Sequence, residues 1–271
     1  MARPQASISN LDYHADPAIS ASHLKAINTS PLHYWARYLD PNRVAPEPSP
    51  AMKLGTLVHC LVLEPEELPH RYRRVPDGID RRTKDGKQQW AELEATGLEL
   101  IKAADWDAAN AMADSVHRHP AAAQLLQRAG GMAELSFWWD DSSTGLRCKC
   151  RPDWFTDQVV DLKTTADASP AGFARSVANF GYHVQAAHYL AGTGVERFSF
   201  VAVEKQPPYA VAVYQLDAAA MAIGDALRLD ALNRIVQCRK ADQWPGYGDD
   251  EQVISLPKWA SPADLMTADD F

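Results

Sequence analysis

Hydrophobic spacing changes period along this chain, and each change marks an element. From Met52, the residues Leu54, Leu57, Val58, Leu61 and Val62 recur at i, i+3, i+4, i+7 and i+8, the core stripe of a helix. Gly55 and His59 share a neighbouring face of it, and Pro65 ends or bends it. Before it, ISASHLKAI is a short helical pattern from Ser20, and Ser30-Pro31 opens another, with Ser as N-cap and Pro at the first helical position. The prolines of DPNRVAPEPSP then impose a loop. Tyr72 to Val75 reads as a short strand, followed by a basic loop and Ala-rich helical sequence from about Gln88 to Leu126, interrupted near Pro120. Period 2 takes over in ELSFWW, LRCKCRPDWF and QVVDLKTT, three successive strands joined by tight turns. AGFARSVANFGYHVQAAHYLAG is helical again, in one piece or broken at Gly181. RFSFVAVEKQPPYAVAVYQL is a hairpin with a Pro-Pro turn, and DAAAMAIGDALRLDALNRIVQCRK a long amphipathic helix. The tail WPGYGDDEQVISLPKWA is irregular, and its aromatic residues predict that it packs over another surface. This order predicts an α/β protein with a central mixed β-sheet flanked by helices.

One stretch resists that pattern. In RPDWFTDQVVDLKTT, the charges of Asp157, Asp161 and Lys163 surround Val159-Val160, where a core strand would carry none. A partly buried Asp is costly unless a cation or hydrogen-bond donors compensate it. Asp161 and Lys163, two apart on a strand, share a face at an axial offset of roughly 6.6 Å. Asp153 ends the preceding strand, and a short connection brings it beside Asp161. Two converging carboxylates call for a divalent cation between them. Beside that cation, Lys163 would hold or deprotonate a water, or balance charge developing on a phosphate.

Composition narrows the partners. The 271 residues carry a net charge of −8, which argues against non-specific nucleic-acid binding. HRYRRVPDGIDRRTKDGK nevertheless concentrates Arg71, Arg73, Arg74, Arg81, Arg82, Lys84 and Lys87, as either a DNA-gripping patch or a solvated charged loop. Cys60, Cys148, Cys150 and Cys238 are too scattered for a disulfide framework, zinc site or iron-sulfur cluster, so reduced thiols are expected. Neither G-x-G-x-x-G nor a Walker A loop is present, and ATP is not expected as a cofactor. The apolar runs are too short to cross a bilayer, the N-terminus lacks a signal-peptide pattern, and a cytoplasmic protein is expected.

Pro152-Asp153, a spacer and Asp161-x-Lys163 resemble the signature of the PD-(D/E)XK nucleases, with their restriction-endonuclease-like core. The context narrows the likeness: GTLVHCLVLEPEEL with His59 upstream, Glu134 opening ELSFWW, and Gln185-x-x-x-Tyr189 downstream resemble the RecB-like branch, and within it the RecE-like (exonuclease VIII) nuclease domain, over roughly residues 12 to 240. The resemblance implies a Mg²⁺-dependent exonuclease, with Mn²⁺ as the alternative ion, digesting linear double-stranded DNA 5′ to 3′ and leaving 3′ tails for recombination by strand annealing. It implies His59, Asp153 and Asp161 as metal ligands with the backbone carbonyl of Leu162, and Lys163 positioning the attacking water. Gln185 and Tyr189 would steady the lysine or the DNA backbone, and Glu134 would be an outer or second-metal carboxylate. Arg81, Arg82, Lys84 and Lys87 are the DNA-binding candidates, because phosphate neutralisation dominates duplex binding.

The expected partners are double-stranded DNA ends, a RecT-like annealing protein and further copies of this chain in a ring, a tetramer before a trimer, with no membrane. The chain resembles a stand-alone, phage-type version of the family. One nuclease domain is expected over residues 1–271: N-terminal helices at 18–64, basic loop and helices at 70–128, catalytic core at 132–240 and a tail at 241–271. Two rivals stand beside the exonuclease: a structure-specific or restriction-like endonuclease on the same core, and a DNA-binding scaffold that has lost catalysis.

Overall fold

The computed structural model describes residues 3–5, 8–44 and 47–256, so the end of the expected tail, 257–271, lies outside the described residues. A short strand β1 (Arg3–Gln5) leads into three helices, α1 (Asn10–Ala15), α2 (Ala21–Thr29) and α3 (Pro31–Tyr38). Ser30 caps α3 by accepting from the His33 backbone N–H at 3.2 Å, and Pro31 takes the first helical position. After the proline-rich loop comes α4 (Pro50–Leu63), capped by Ser49, and its stripe of Leu57, Val58, Leu61 and Val62 is buried as its periodicity predicts. Pro65 opens a 3-10 turn, and α5 (Leu68–Arg71) follows.

The expected helical stretch from Gln88 to Leu126 is divided. A strand, β3 (Glu99–Ile101), pairs parallel with β2 (Tyr72–Arg74) and separates α6 (Lys84–Glu94) from α7 (Ala103–Arg118) and α8 (Pro120–Leu126). Thr96-Gly97 causes the break, since Gly97 at φ 69° leaves the helix in the left-handed region.

The remaining strands are β4 (Met132–Ala133), β5 (Ser136–Asp140), β6 (Arg147–Cys150), β7 (Trp154–Phe155) and β8 (Val159–Thr165). Two helices follow, α9 (Pro170–Phe180) and α10 (Tyr182–Thr193), divided at Gly181 with φ 67°. A hairpin, β9 (Phe198–Glu204) and β10 (Val211–Tyr214), and the long α11 (Ala218–Ala241) complete the described elements. The main sheet runs β10-β9-β8-β7-β4; β8 and β9 are parallel and the other neighbours antiparallel, a mixed sheet as expected. One apolar layer packs α4, α7 and α8 on Val160, Leu162, Val201 and Val203 of β8 and β9. Val159, Phe198, Phe200 and Ala202, one residue out of phase, face the other way, onto α9 and α10. A strand buried on both faces has no solvent side, so any charge on β8 is buried with it.

Two buried cations tie the N-terminal segment to the smaller sheet, β1-β5-β6. Lys149, 2% exposed, donates to the carbonyls of Tyr13 and Asp16, and Arg151 donates to Ser136 Oγ, Ile8 O and Asn10 Oδ1. His188, expected at the surface, is fully buried and donates Nε2–H to Lys149 O at 3.1 Å. Of the tail, Trp244 stacks on Tyr34 at 5.3 Å and Pro245 O accepts from Leu32 N, while residues 245–256 are exposed. All four cysteines are buried and unpaired, and no described helix is long and apolar enough to cross a membrane.

Buried charge elsewhere is matched. Asp141 holds its turn through Ser143 N, Thr144 N and Thr144 Oγ1, and its other oxygen accepts from Arg228 at 2.9 Å, both side chains being under 10% exposed. Asp141→Ala removes one of the two carboxylates that pair with Arg228, leaving Asp225 at 2.8 Å, and is expected to cost about 1–3 kcal/mol. A urea midpoint close to wild type would show that Arg228 relaxes into solvent instead.

Candidate active site

The pairs Met132–Phe155 and Ala133–Trp154 and the pairs Phe137–Cys150 through Asp140–Arg147 lie on one antiparallel register, interrupted in the middle. At the interruption Glu134 N donates to Asp153 O at 3.2 Å, so these two residues face each other. Glu134 sits at φ 51°, a left-handed conformation that costs a non-glycine residue on the order of 1 kcal/mol and is found disproportionately at functional sites. On the other side, continuing the pairing of Trp154 with Val160 by one step sets Asp153 opposite Asp161. Three carboxylates thus stand at one level across three neighbouring chain segments.

Helix α4 brings the imidazole. Its Gly55 lets the helix lie close to β8, where a Cβ would reach 3.4 Å from Thr164 Oγ1. One turn on, His59 Nδ1 is 3.5 Å from Asp153 Oδ2, which also accepts from Leu162 N at 2.7 Å. His59, Glu134 and Asp153 each offer one ligand atom, and these lie within 4.8 Å of one another. His59 and Glu134 line a groove of about 950 Å³, which Leu162, Lys163, Thr164, Arg175, Ser176 and Lys205 line as well.

Asp161 stands outside that three-residue cluster. It is 1% exposed; its Oδ1 accepts from Gln185 at 2.6 Å, and its Oδ2 is 2.5 Å from Lys163 Nζ in an ion pair without hydrogen-bond alignment. The expected ligand set therefore divides: His59 and Asp153 gather with Glu134, which was expected further out, while Asp161 turns to Lys163 and Gln185. Two aspartates at one level repel, and the second takes the nearest donors.

The electrostatics record the crowding. Burial, and then the charge of Asp153, push Glu134 up to about 8, with Arg151 opposing. Burial likewise raises Asp161 to about 6, against the pull of Lys163. Burial draws the Lys163 ammonium down, but Asp161 and Asp153 together outweigh it and its pKa rises. Mutually repelling, part-buried carboxylates beside an imidazole fit a divalent cation with oxygen and nitrogen ligands.

The helix after β8 supplies both an expected residue and an unexpected one. Gln185 is on Asp161, but Tyr189, four residues on, packs its ring in the apolar layer 6.0 Å from Phe198. Tyr182 instead holds the lysine, with Nζ 4.8 Å from its ring centre. The signal was available, since Tyr182 precedes Gln185 by three residues and so shares its helix face. The basic loop does not reach the groove. Arg82 pairs with Asp80, Arg81 lies 4.2 Å from the ring centre of Trp90, and Arg71 and Arg74 pair with Glu64, Glu67, Asp77 and Asp107. Lys84 and Lys87 are exposed on α6.

The model of the family described as a PDDEXK-like domain of unknown function (DUF3799) matches residues 20–256. The chain belongs to this PDDEXK-like family. Its fold agrees with that of a candidate exonuclease from Eubacterium rectale, at TM-score 0.63 and 16% identity over 93% of this chain and 96% of that one. A looser likeness, to LHK-Exo in complex with dAMP, has TM-score 0.26 and 20% identity over 59% of this chain and 87% of that one, too partial to bear on the site. No curated protein matches. The PDDEXK-like domain thus has the nuclease fold that Asp153, Asp161 and Lys163 resembled.

Proposed function

We propose that this PDDEXK-like domain is a Mg²⁺-dependent exodeoxyribonuclease of the RecE type, hydrolysing linear duplex DNA from its ends, 5′ to 3′, and leaving 3′ tails for an annealing protein. The observation that carries this reading is the gathering of His59, Glu134 and Asp153 within 4.8 Å of one another, with Asp161 level with Asp153 and paired to Lys163, which lines the same groove as His59 and Glu134. A divalent ion held by His59, Glu134 and Asp153 supplies Lewis-acid polarisation of a phosphate oxygen and a lowered pKa for bound water.

The chain's own groups do the rest. Lys163 is kept charged by Asp161 and Asp153, so it offers an ammonium to charge developing on the phosphate or orients a water through it. Gln185 fixes the Asp161 carboxylate, and the Tyr182 ring holds the lysine ammonium. Thr164, Ser176, Arg175 and Lys205 give the groove donors along which a phosphate backbone can track. The end-directed mode, the polarity and a ring of several copies follow from the RecE resemblance of the motifs, and the exonuclease description of the E. rectale structure supports the same reading.

Digestion of one plasmid in linear and closed circular form tests it. With Mg²⁺ the linear form is consumed from its 5′ ends, the circle survives, and EDTA stops the reaction. A cut circle would replace the exonuclease with an endonuclease on the same core. Both forms intact, in Mg²⁺ and in Mn²⁺, would leave a DNA-binding scaffold.

A further inference from the structure

A second cavity, of about 810 Å³, lies between α2, α3, the α9–α10 junction and α11. That volume is in the range of a pocket for one ligand of a few rings. Its wall includes Tyr182 and Gln185, and Asn179, Phe180 and Tyr182 line both this cavity and the catalytic groove, so the two meet at one ridge.

The lining differs in charge from the protein around it. In a chain of net charge −8, the cavity wall carries Lys25, Arg43, Lys149, Arg234 and Arg239 against Asp16 and Asp230. Lys149 is spent on backbone carbonyls and Arg234 on Asp230 at 2.6 Å. Lys25, Arg43 and Arg239 are exposed and, among the described residues, make no ion pair, unlike Arg71, Arg74 and Arg82 of the basic loop. Flat rings stand between them. His23 and Tyr38 stack at 3.7 Å, Tyr38 Oη is buried with no hydrogen-bond partner, and Lys25 lies 5.3 Å from the ring centre of the half-exposed Phe180.

We infer that this cavity binds single-stranded DNA, a few nucleotides long, alongside the catalytic groove: bases on the rings of Tyr38 and Phe180, phosphates on Lys25, Arg43 and Arg239. Unpaired cations interleaved with aromatic faces are the chemistry that holds a single strand without reading its sequence. The inference rests on the nuclease reading for its substrate class, since an enzyme acting at duplex ends leaves one strand unpaired beside the site.

The test is fluorescence anisotropy of a labelled dT10 oligonucleotide, in EDTA so that nothing is cut, at several salt concentrations. Wild type binds, and K25Q/R43Q/R239Q binds at least about tenfold more weakly. Its salt slope is shallower by about 2, since each lost phosphate contact on a single strand removes about 0.7. Lys102→Gln, an exposed lysine on α7's N-terminal side, changes neither. A wild type that does not bind dT10, a triple variant with unaltered affinity and slope, or a tenfold preference for U10 over dT10 would each overturn the inference. Binding is read without hydrolysis, so a chain that binds dT10 and leaves linear duplex intact upholds the cavity and overturns the nuclease reading.

Discussion

Lys163→Ala lowers the rate of linear-duplex hydrolysis by about 10²- to 10³-fold, the usual cost of removing one preorganised group that faces transition-state charge. Burial lowers the pKa of this ammonium; Asp161 at 2.5 Å and the nearby Asp153 outweigh it and keep it charged, and the Tyr182 ring faces its Nζ. Lys163→Arg does not rescue the rate, because a planar guanidinium fork cannot occupy the place of a compact ammonium against Asp161 and Tyr182. Lys163→Ala also leaves Asp161 buried beside Gln185 alone, so the thermal midpoint is recorded with the rate. A rate loss below tenfold in a folded variant would remove Lys163 from the chemistry.

Glu134→Gln separates stability from function in opposite directions. An ordinary glutamate titrates near 4.5 and this one near 8, so between those values the folded chain holds a proton that the unfolded chain has released. Without metal, that linkage lowers stability as pH rises through the window and is flat above it; Asp161, raised from 3.8 to about 6, adds the same sign at the lower end. His188, drawn down to about 4 by burial, works oppositely between 4 and 6.5, where the unfolded chain takes up the proton first. Removing the Glu134 charge therefore stabilises the metal-free protein at pH 8, by about 2–4 °C if about 1 kcal/mol is gained. Ligands must shed protons to bind a cation, so the Mg²⁺-induced rise in midpoint grows from pH 5.5 to 8.5 in wild type. Glu134→Gln abolishes most of that rise and the hydrolysis with it. Differential scanning fluorimetry with and without Mg²⁺ checks both halves, and a variant keeping the full Mg²⁺ rise would show that the cation sits elsewhere.

The candidate site was legible in part because strand arithmetic is local. Two residues apart on a strand means one face, and a short link between strands brings neighbours level, so Asp153, Asp161 and Lys163 could be placed together by counting. His59 was legible as a helix residue one turn from a glycine, and Gln185 by its helical spacing. Where the reading missed, the missing information was non-local. Tyr189 and Tyr182 are both tyrosines on α10, and only the packing of that helix on β8 shows which reaches Lys163. In the basic loop, Arg71 and Arg74 meet the distant acids Glu64 and Asp107, which spacing does not show, while the DNA-binding candidates Lys84 and Lys87 stay exposed. The helix expected from Gln88 to Leu126 failed at Glu99–Ile101, whose pairing partner lies almost thirty residues back, at Tyr72–Arg74.

The amino-acid sequence by itself determined the order of elements, the face of each that is buried, and the presence of acids and a lysine too costly to keep in a core strand without a purpose, because periodicity and desolvation act residue by residue. Tertiary structure alone decided that Glu134, kinked into the left-handed region, joins His59 and Asp153 while Asp161 turns to Lys163 and Gln185. It also decided that Lys25, Arg43 and Arg239 meet around one cavity between α2, α3, α10 and α11. Which charge meets which is settled by distances of a few ångströms between segments dozens of residues apart, and spacing along a chain carries no record of them.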